Sequence, residues 1–185
     1  MKGIVFSEFI EMVESKFSPE MADEIIMAAN LPSGGSYTAV GTYDHGEMLE
    51  LVAQLSEKTD IQTGDLIRTF GTHLFGRFNE LYPTFFNGVN STFDFLSQIE
   101  EHVHSEVRKL YPDAELPVFE TVRLDADTLE MTYRSGRPFA DLAMGLIHGC
   151  ALHFGEDVVI DQEDMSEEGR THVRFTLTRQ PAHAG

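Results

Sequence analysis

Apolar residues recur at helical spacing in the first half of the chain and alternate like strands in much of the second. Ile4, Val5, Phe9, Met12, Val13 and Phe17 return every three or four positions, with Glu8, Glu11 and Glu14 between them, which predicts an amphipathic first helix. Ser18-Pro19 opens a second helix, running to about Ala29, because proline suits the first helical position. Leu31 to Ser36, with one proline and two glycines, is a loop. Asp44 and Glu47 have capping-box spacing and predict a third helix to about Lys58. Leu66, Ile67, Phe70, Leu74 and Phe78 mark a fourth, Thr63 to about Asn79. Ser91 to about Tyr111 reads as one long helix. Leu96, Ile99, Val103, Val107 and Leu110 form its apolar stripe, while Phe93, His104 and Tyr111 fall on a second face roughly 90° away.

After Pro112 the pattern changes. Phe119 to Leu124 and Thr128 to Arg134 form a hairpin about an acidic turn. Pro138 to Phe154 is an amphipathic helix ended by Gly155. Glu156 to Asp161 and Thr171 to Arg179 are two more strands, around an acidic loop from Glu163 to Gly169, and Gln180 to Gly185 is a frayed tail. The expected class is α+β: a helical N-terminal half, then a roughly four-stranded antiparallel sheet with an inserted helix.

Composition narrows the partners. At 185 residues and 42% hydrophobic the chain can bury one sizeable core. Thirteen basic against 31 acidic residues give a formal charge of -18, which repels nucleic acid and anionic membrane surfaces. Cys150 is the single cysteine, so an intrachain disulfide and a Cys-rich zinc site are excluded; it lies on an apolar helix face as a small core residue. No signal peptide or membrane span is visible, and a cytoplasmic location is expected. No nucleophile elbow, P-loop or dinucleotide fingerprint occurs, so an enzyme is not expected.

Two features carry chemistry. If the backbone stays extended, Tyr133, Ser135 and Arg137 present a phenol, a hydroxyl and a guanidinium on one face: either an ordinary strand end or a clamp for an anion. His104 is either a hydrogen-bonded core histidine or a single axial ligand. One imidazole is too few for zinc but enough for haem iron. His102 lies two residues away, on another helix face, and reads as a solvated partner of nearby glutamates.

His104 on a long helix, Pro117 after it and Tyr-x-Ser-x-Arg at 133–137 together resemble the H-NOX family, the haem nitric oxide/oxygen-binding domains. The resemblance covers nearly the whole chain as one domain. It implies a distal helical part over 1–60, a proximal α/β part over 61–180, a tail at 181–185 and haem b (protoporphyrin IX iron) between the parts. By that resemblance His104 would be the iron ligand, Tyr133, Ser135 and Arg137 would hold the propionates, and Pro117 would press on the porphyrin. Val5, Phe9, Leu74 and Leu142 would line the distal side, with Phe78, Leu146 and Ile147 as further contacts. Oxygen-binding relatives place a distal tyrosine where this chain has Leu142, so a five-coordinate ferrous haem binding NO and CO and excluding O2 is implied. Signalling would follow release of His104 to a separate partner, a histidine kinase or a cyclic-di-GMP enzyme. The zinc-binding cysteine cluster of some relatives is missing here. An oxygen-responsive haem protein, a haem-free interaction module and a haem peroxidase are the competing readings.

Overall fold

Two hydrophobic interiors meet along one long helix. The computed structural model describes residues 1–181; the last four positions of the expected tail lie outside the described residues. Helices α1 (Gly3–Lys16), α2 (Pro19–Ala28), α3 (His45–Thr59) and α4 (Thr63–Leu81) come first. A 3-10 turn (Pro83–Phe86), α5 (Thr92–Ser97), a π turn (Ile99–His104) and α6 (Ser105–Leu110) follow. Strands β1 (Val118–Arg123) and β2 (Thr128–Ser135), helix α7 (Ala140–Phe154), and strands β3 (Val158–Asp164) and β4 (Thr171–Arg179) complete the chain. The sheet order is β1-β2-β4-β3, antiparallel throughout, so two hairpins join through the β2–β4 pair. The helical half, the antiparallel sheet and the helix inserted between β2 and β3 follow the α+β pattern of the sequence.

The first interior gathers Phe6, Phe9, Met12, Ile25, Leu51, Leu55, Phe70 and Leu74 from α1 to α4. The second places Leu129, Met131 and Tyr133 of β2 beside Val173, Phe175 and Leu177 of β4, under Ala143, Ile147 and Cys150 of α7. Strand alternation sends these residues inward and leaves Glu130, Thr132 and Arg174 on the other face. Helix α4 belongs to both interiors: Leu66 to Leu74 serve the first and Phe75 the second. It packs on α7 through a seam of Gly71, Gly145 and Gly149, where helix backbones touch. A Cβ on Gly145 would stand 2.9 Å from the Gly71 Cα, and one on Gly149 would stand 2.7 Å from the Phe75 Cβ. No helix among the described residues is long and apolar enough to cross a membrane.

Several local expectations change. Asp44 caps α3 by accepting from the Gly46 N–H at 2.6 Å, but Glu47 does not complete the box. Its carboxylate is buried instead, accepting from the Tyr37 phenol at 2.8 Å and from Ser33. Glu8, expected on a solvated face, is buried as well and accepts from Arg77 Nε of α4 at 2.8 Å. Pro138 does not start α7, because the cap residue is Phe139, at φ -115° and ψ 36°. Gln180 is not frayed: its N–H donates to the Asp157 carbonyl at 2.8 Å.

The largest departure is the helix expected from Ser91 to Tyr111. Gln98 leaves helical geometry, at ψ 2°, and a π turn follows. A turn wider than 3.6 residues rotates everything beyond it, so Phe93 leaves the face it was expected to share, while His104 and Tyr111 still line one cavity. Phe93 is fully buried under the Arg179 guanidinium, 4.6 Å from its ring centroid, and Leu110 of the expected core stripe is exposed.

Candidate functional site

The two interiors leave between them a cavity of about 800 Å³, a size suited to a cofactor. One wall comes from α1, α4 and α7, with Val5, Leu74, Phe78, Leu142, Leu146 and Ile147. Another comes from the π turn, α6 and the approach to β1, with Val103, His104, Val107, Pro117 and Phe119. Tyr133, Ser135 and Arg137 also line it. Of the residues that the resemblance assigned to the haem site, only Phe9 is not brought to the cavity. It packs edge-on against Phe70, ring centroids 5.2 Å apart, in the helical interior behind the wall.

His104 is 8% exposed. Its Nδ1 lies 2.9 Å from Glu100 Oε1, four residues earlier in the π turn. The same oxygen accepts the Phe119 N–H of β1 at 2.8 Å, and Glu100 Oε2 is 3.5 Å from Arg108 Nη2. Burial holds the imidazole's pKa below its ordinary value; the Glu100 carboxylate opposes this and Arg108 reinforces it. The ring is therefore neutral at pH 7. Its hydrogen bond to a carboxylate assigns the proton to Nδ1 and leaves the lone pair on Nε2.

The Tyr133–Arg137 stretch achieves its grouping differently from an extended strand. Strand β2 ends at Ser135, and the Arg137 N–H turns back to donate to Ser135 Oγ at 3.0 Å. Tyr133 is buried against Phe119, ring centroids 5.4 Å apart. Burial raises its pKa; Ser135 and Arg137 partly offset that. Arg137 reaches Glu115, donating from Nη1 to its carbonyl at 3.3 Å and pairing through Nη2 with its carboxylate. The Glu115 side chain is 81% exposed, so the pair sits at the cavity rim. The Met1 ammonium donates to the Tyr43 carbonyl at 2.7 Å, and its pKa is lowered by burial first and by Arg137 second.

Two residues of the site, Glu100 and Tyr82, carry no sequence signal as site residues. Glu100 reads as one more helix carboxylate. Tyr82 lines the cavity with Tyr111, and burial leads the causes that push Tyr82 up to about 12. The two tyrosines stand at the ends of different helices, and only the fold unites them.

A family model described as haem-NO-binding matches residues 2–162. The unliganded Fe(II) H-NOX protein from K. algicida is 39% identical, with a TM-score of 0.91 and full coverage of both chains. The IWP-051-bound H-NOX from Shewanella woodyi in the Fe(II)CO state is 42% identical, with a TM-score of 0.83, covering 100% of this chain and 97% of that one. An S. oneidensis H-NOX protein in the Fe(II)NO state, 23% identical with a TM-score of 0.89 over 98% of this chain and 100% of that one, shares the fold. The chain belongs to the H-NOX family of haem-binding gas-sensor domains, which are not themselves enzymes.

Proposed function

We infer that this chain is a nitric oxide sensor that holds haem b, takes CO as a second gas and excludes O2. The observation that carries the reading is the chemistry of the cavity wall from α1, α4 and α7. Val5, Leu74, Phe78, Leu142 and Leu146 bring only hydrocarbon to it. O2 gains partial negative charge on binding and needs a hydrogen-bond donor, whereas NO and CO depend on one far less.

The donor set fits haem. Bound haem would supply an iron that takes one protein ligand and binds the gas. His104 offers that ligand as a buried, neutral imidazole with Nε2 free of Glu100. Arg137 already takes one carboxylate at the rim, and the Tyr133 and Ser135 hydroxyls stand with it, suiting the three to two propionates. Pro117 lines the same cavity as His104 and would bear on the porphyrin there. Release of His104 would free the π turn and α6 to shift against the sheet. A separate partner reads that shift, a histidine kinase or a cyclic-di-GMP enzyme. The related proteins in Fe(II)NO and Fe(II)CO states support this choice of gases.

The visible spectrum of the purified, reduced protein tests the reading before and after NO, after CO, and in air. Distinct NO and CO complexes with no oxy complex are expected. Absence of a Soret band in haem-replete protein refutes haem binding, and a stable oxy complex refutes the selectivity.

A further inference from the structure

The geometry points to Glu100 as the residue that positions the proximal ligand, fixing the tautomer and strengthening the donor character of His104. This rests on His104 as the iron ligand. A carboxylate tunes a metal-bound imidazole when it accepts the N–H of the other ring nitrogen and is itself held in place. Both conditions are met. Glu100 Oε1 is 2.9 Å from His104 Nδ1, and that oxygen is fixed by the Phe119 N–H at 2.8 Å, on a strand anchored in the sheet. Arg108, 3.5 Å from the second oxygen, restrains the other end of the carboxylate.

Residues four apart are neighbours on one face of a helical segment, so Glu100 within the π turn Ile99–His104 meets His104 at its end, the one buried histidine among the described residues. His102, Glu101 and Glu106 lie on the same segment, and none of them bonds His104. A histidine held only by a backbone carbonyl would have its tautomer fixed too. What Glu100 adds is a full negative charge against the N–H, which shifts electron density toward Nε2.

Cavity rescue separates positioning from packing. In haem-replete His104→Gly protein, added imidazole can donate its free N–H to Glu100, whereas 1-methylimidazole cannot. The iron's spectrum should be restored by imidazole at a concentration roughly 10- to 100-fold lower than by 1-methylimidazole, the range expected of a charge-assisted hydrogen bond. In His104→Gly/Glu100→Leu that preference should collapse to within about twofold. An equal preference in both backgrounds overturns the proposal, since steric differences between the two bases are common to both. If His104→Gly keeps the native spectrum without added base, His104 is not the ligand, and this proposal falls with that reading. The intact chain gives an independent readout. The iron–histidine stretching band in the resonance Raman spectrum of reduced protein should move to lower frequency in Glu100→Gln, which keeps an acceptor without the charge. It should move further in Glu100→Leu. An unmoved band in Glu100→Gln overturns the proposal even if the leucine variant fails to fold.

Discussion

Replacing Gly145 with alanine tests whether the α4–α7 seam sets the shape of the cavity wall. Alanine favours an α-helix over glycine by about 1 kcal/mol, so on propensity alone the change stabilises. The structure opposes that gain. The new Cβ would overlap the Arg68 carbonyl oxygen and stand 2.9 Å from the Arg68 carbonyl carbon and from the Gly71 Cα. All three are backbone atoms of α4 and cannot rotate aside. The Thr72 hydroxyl, which donates to the carbonyls of both Arg68 and Gly145 at 3.2 Å, ties the helices together at the same point. The helices must therefore separate by on the order of 1 Å, losing dispersion contacts along the seam. Overpacking of this kind costs about 1–3 kcal/mol, and rigid backbone on both sides places Gly145 at the upper end. The net loss is about 2 kcal/mol, a fall of roughly 4–8 °C in melting temperature for a chain of this size. Gly76 is the control: it lies on α4, is exposed, and a Cβ there meets nothing within 4 Å. Gly76→Ala should raise the melting temperature by about 2–4 °C. Thermal unfolding of the reduced, haem-loaded variants followed by circular dichroism measures both. If Gly145→Ala melts at or above the unmodified protein while Gly76→Ala rises, the seam is not close-packed and the argument fails.

Glu47→Ala should lower the urea midpoint by the equivalent of about 1.5–3 kcal/mol with the slope unchanged, because it strips a buried acceptor from Tyr37 and Ser33; an unmoved midpoint would show that water replaces the carboxylate. Cys150 is fully buried, and burial pushes its thiol pKa up, so a thiol reagent at mildly alkaline pH should modify it only at the rate of unfolding; prompt stoichiometric reaction of native protein would contradict its core position. Tyr37 and Tyr82 are pushed up to about 12, from 10, with burial the leading cause. A raised phenol pKa contributes stability that is fully present below pH 10 and lost as pH rises through 12, so the last part of the tyrosinate absorbance, from these two phenols, should climb together with unfolding in that window.

Periodicity reports which side of an element is apolar, and that is why α1 to α4, both hairpins and the inserted helix were legible from spacing. It does not report depth. Phe9 and Leu74 share a pattern, yet one lies behind the cavity wall and the other in it, because crossing distances between helices decide the layer. Periodicity also assumes a constant turn. The π turn at Ile99–His104 breaks that assumption without any proline or glycine to announce it. His104 and the Tyr133–Arg137 stretch stood out because their residue types are rare in such settings. Glu8, Glu47 and Glu100 did not, since a carboxylate that is buried and paired looks in sequence like the many that are solvated.

The two walls of the cavity are built on different supports, and this bears on how a local event spreads. Leu74, Leu142 and Leu146 belong to the α4–α7 pair, whose backbones are in contact and leave little freedom to slide. His104 belongs to a short segment that leaves regular helical geometry at Gln98, and it meets β1 through the Glu100–Phe119 hydrogen bond and the packing of its ring on Phe119. At the rim the halves are joined by Lys2, which donates to Thr42 Oγ1 and to both Asp113 oxygens at 2.9 Å. The Asp113 side chain is 62% exposed, so water and salt compete for that contact and it holds the segment only weakly. Of the two walls, the one carrying His104 is therefore the cheaper to move. A displacement that begins at His104 has two exits: along α6 to the exposed Leu110, and through Glu100 to the edge of β1. Both exits lead to surface rather than to the helical interior, in keeping with the proposed read-out by a separate partner.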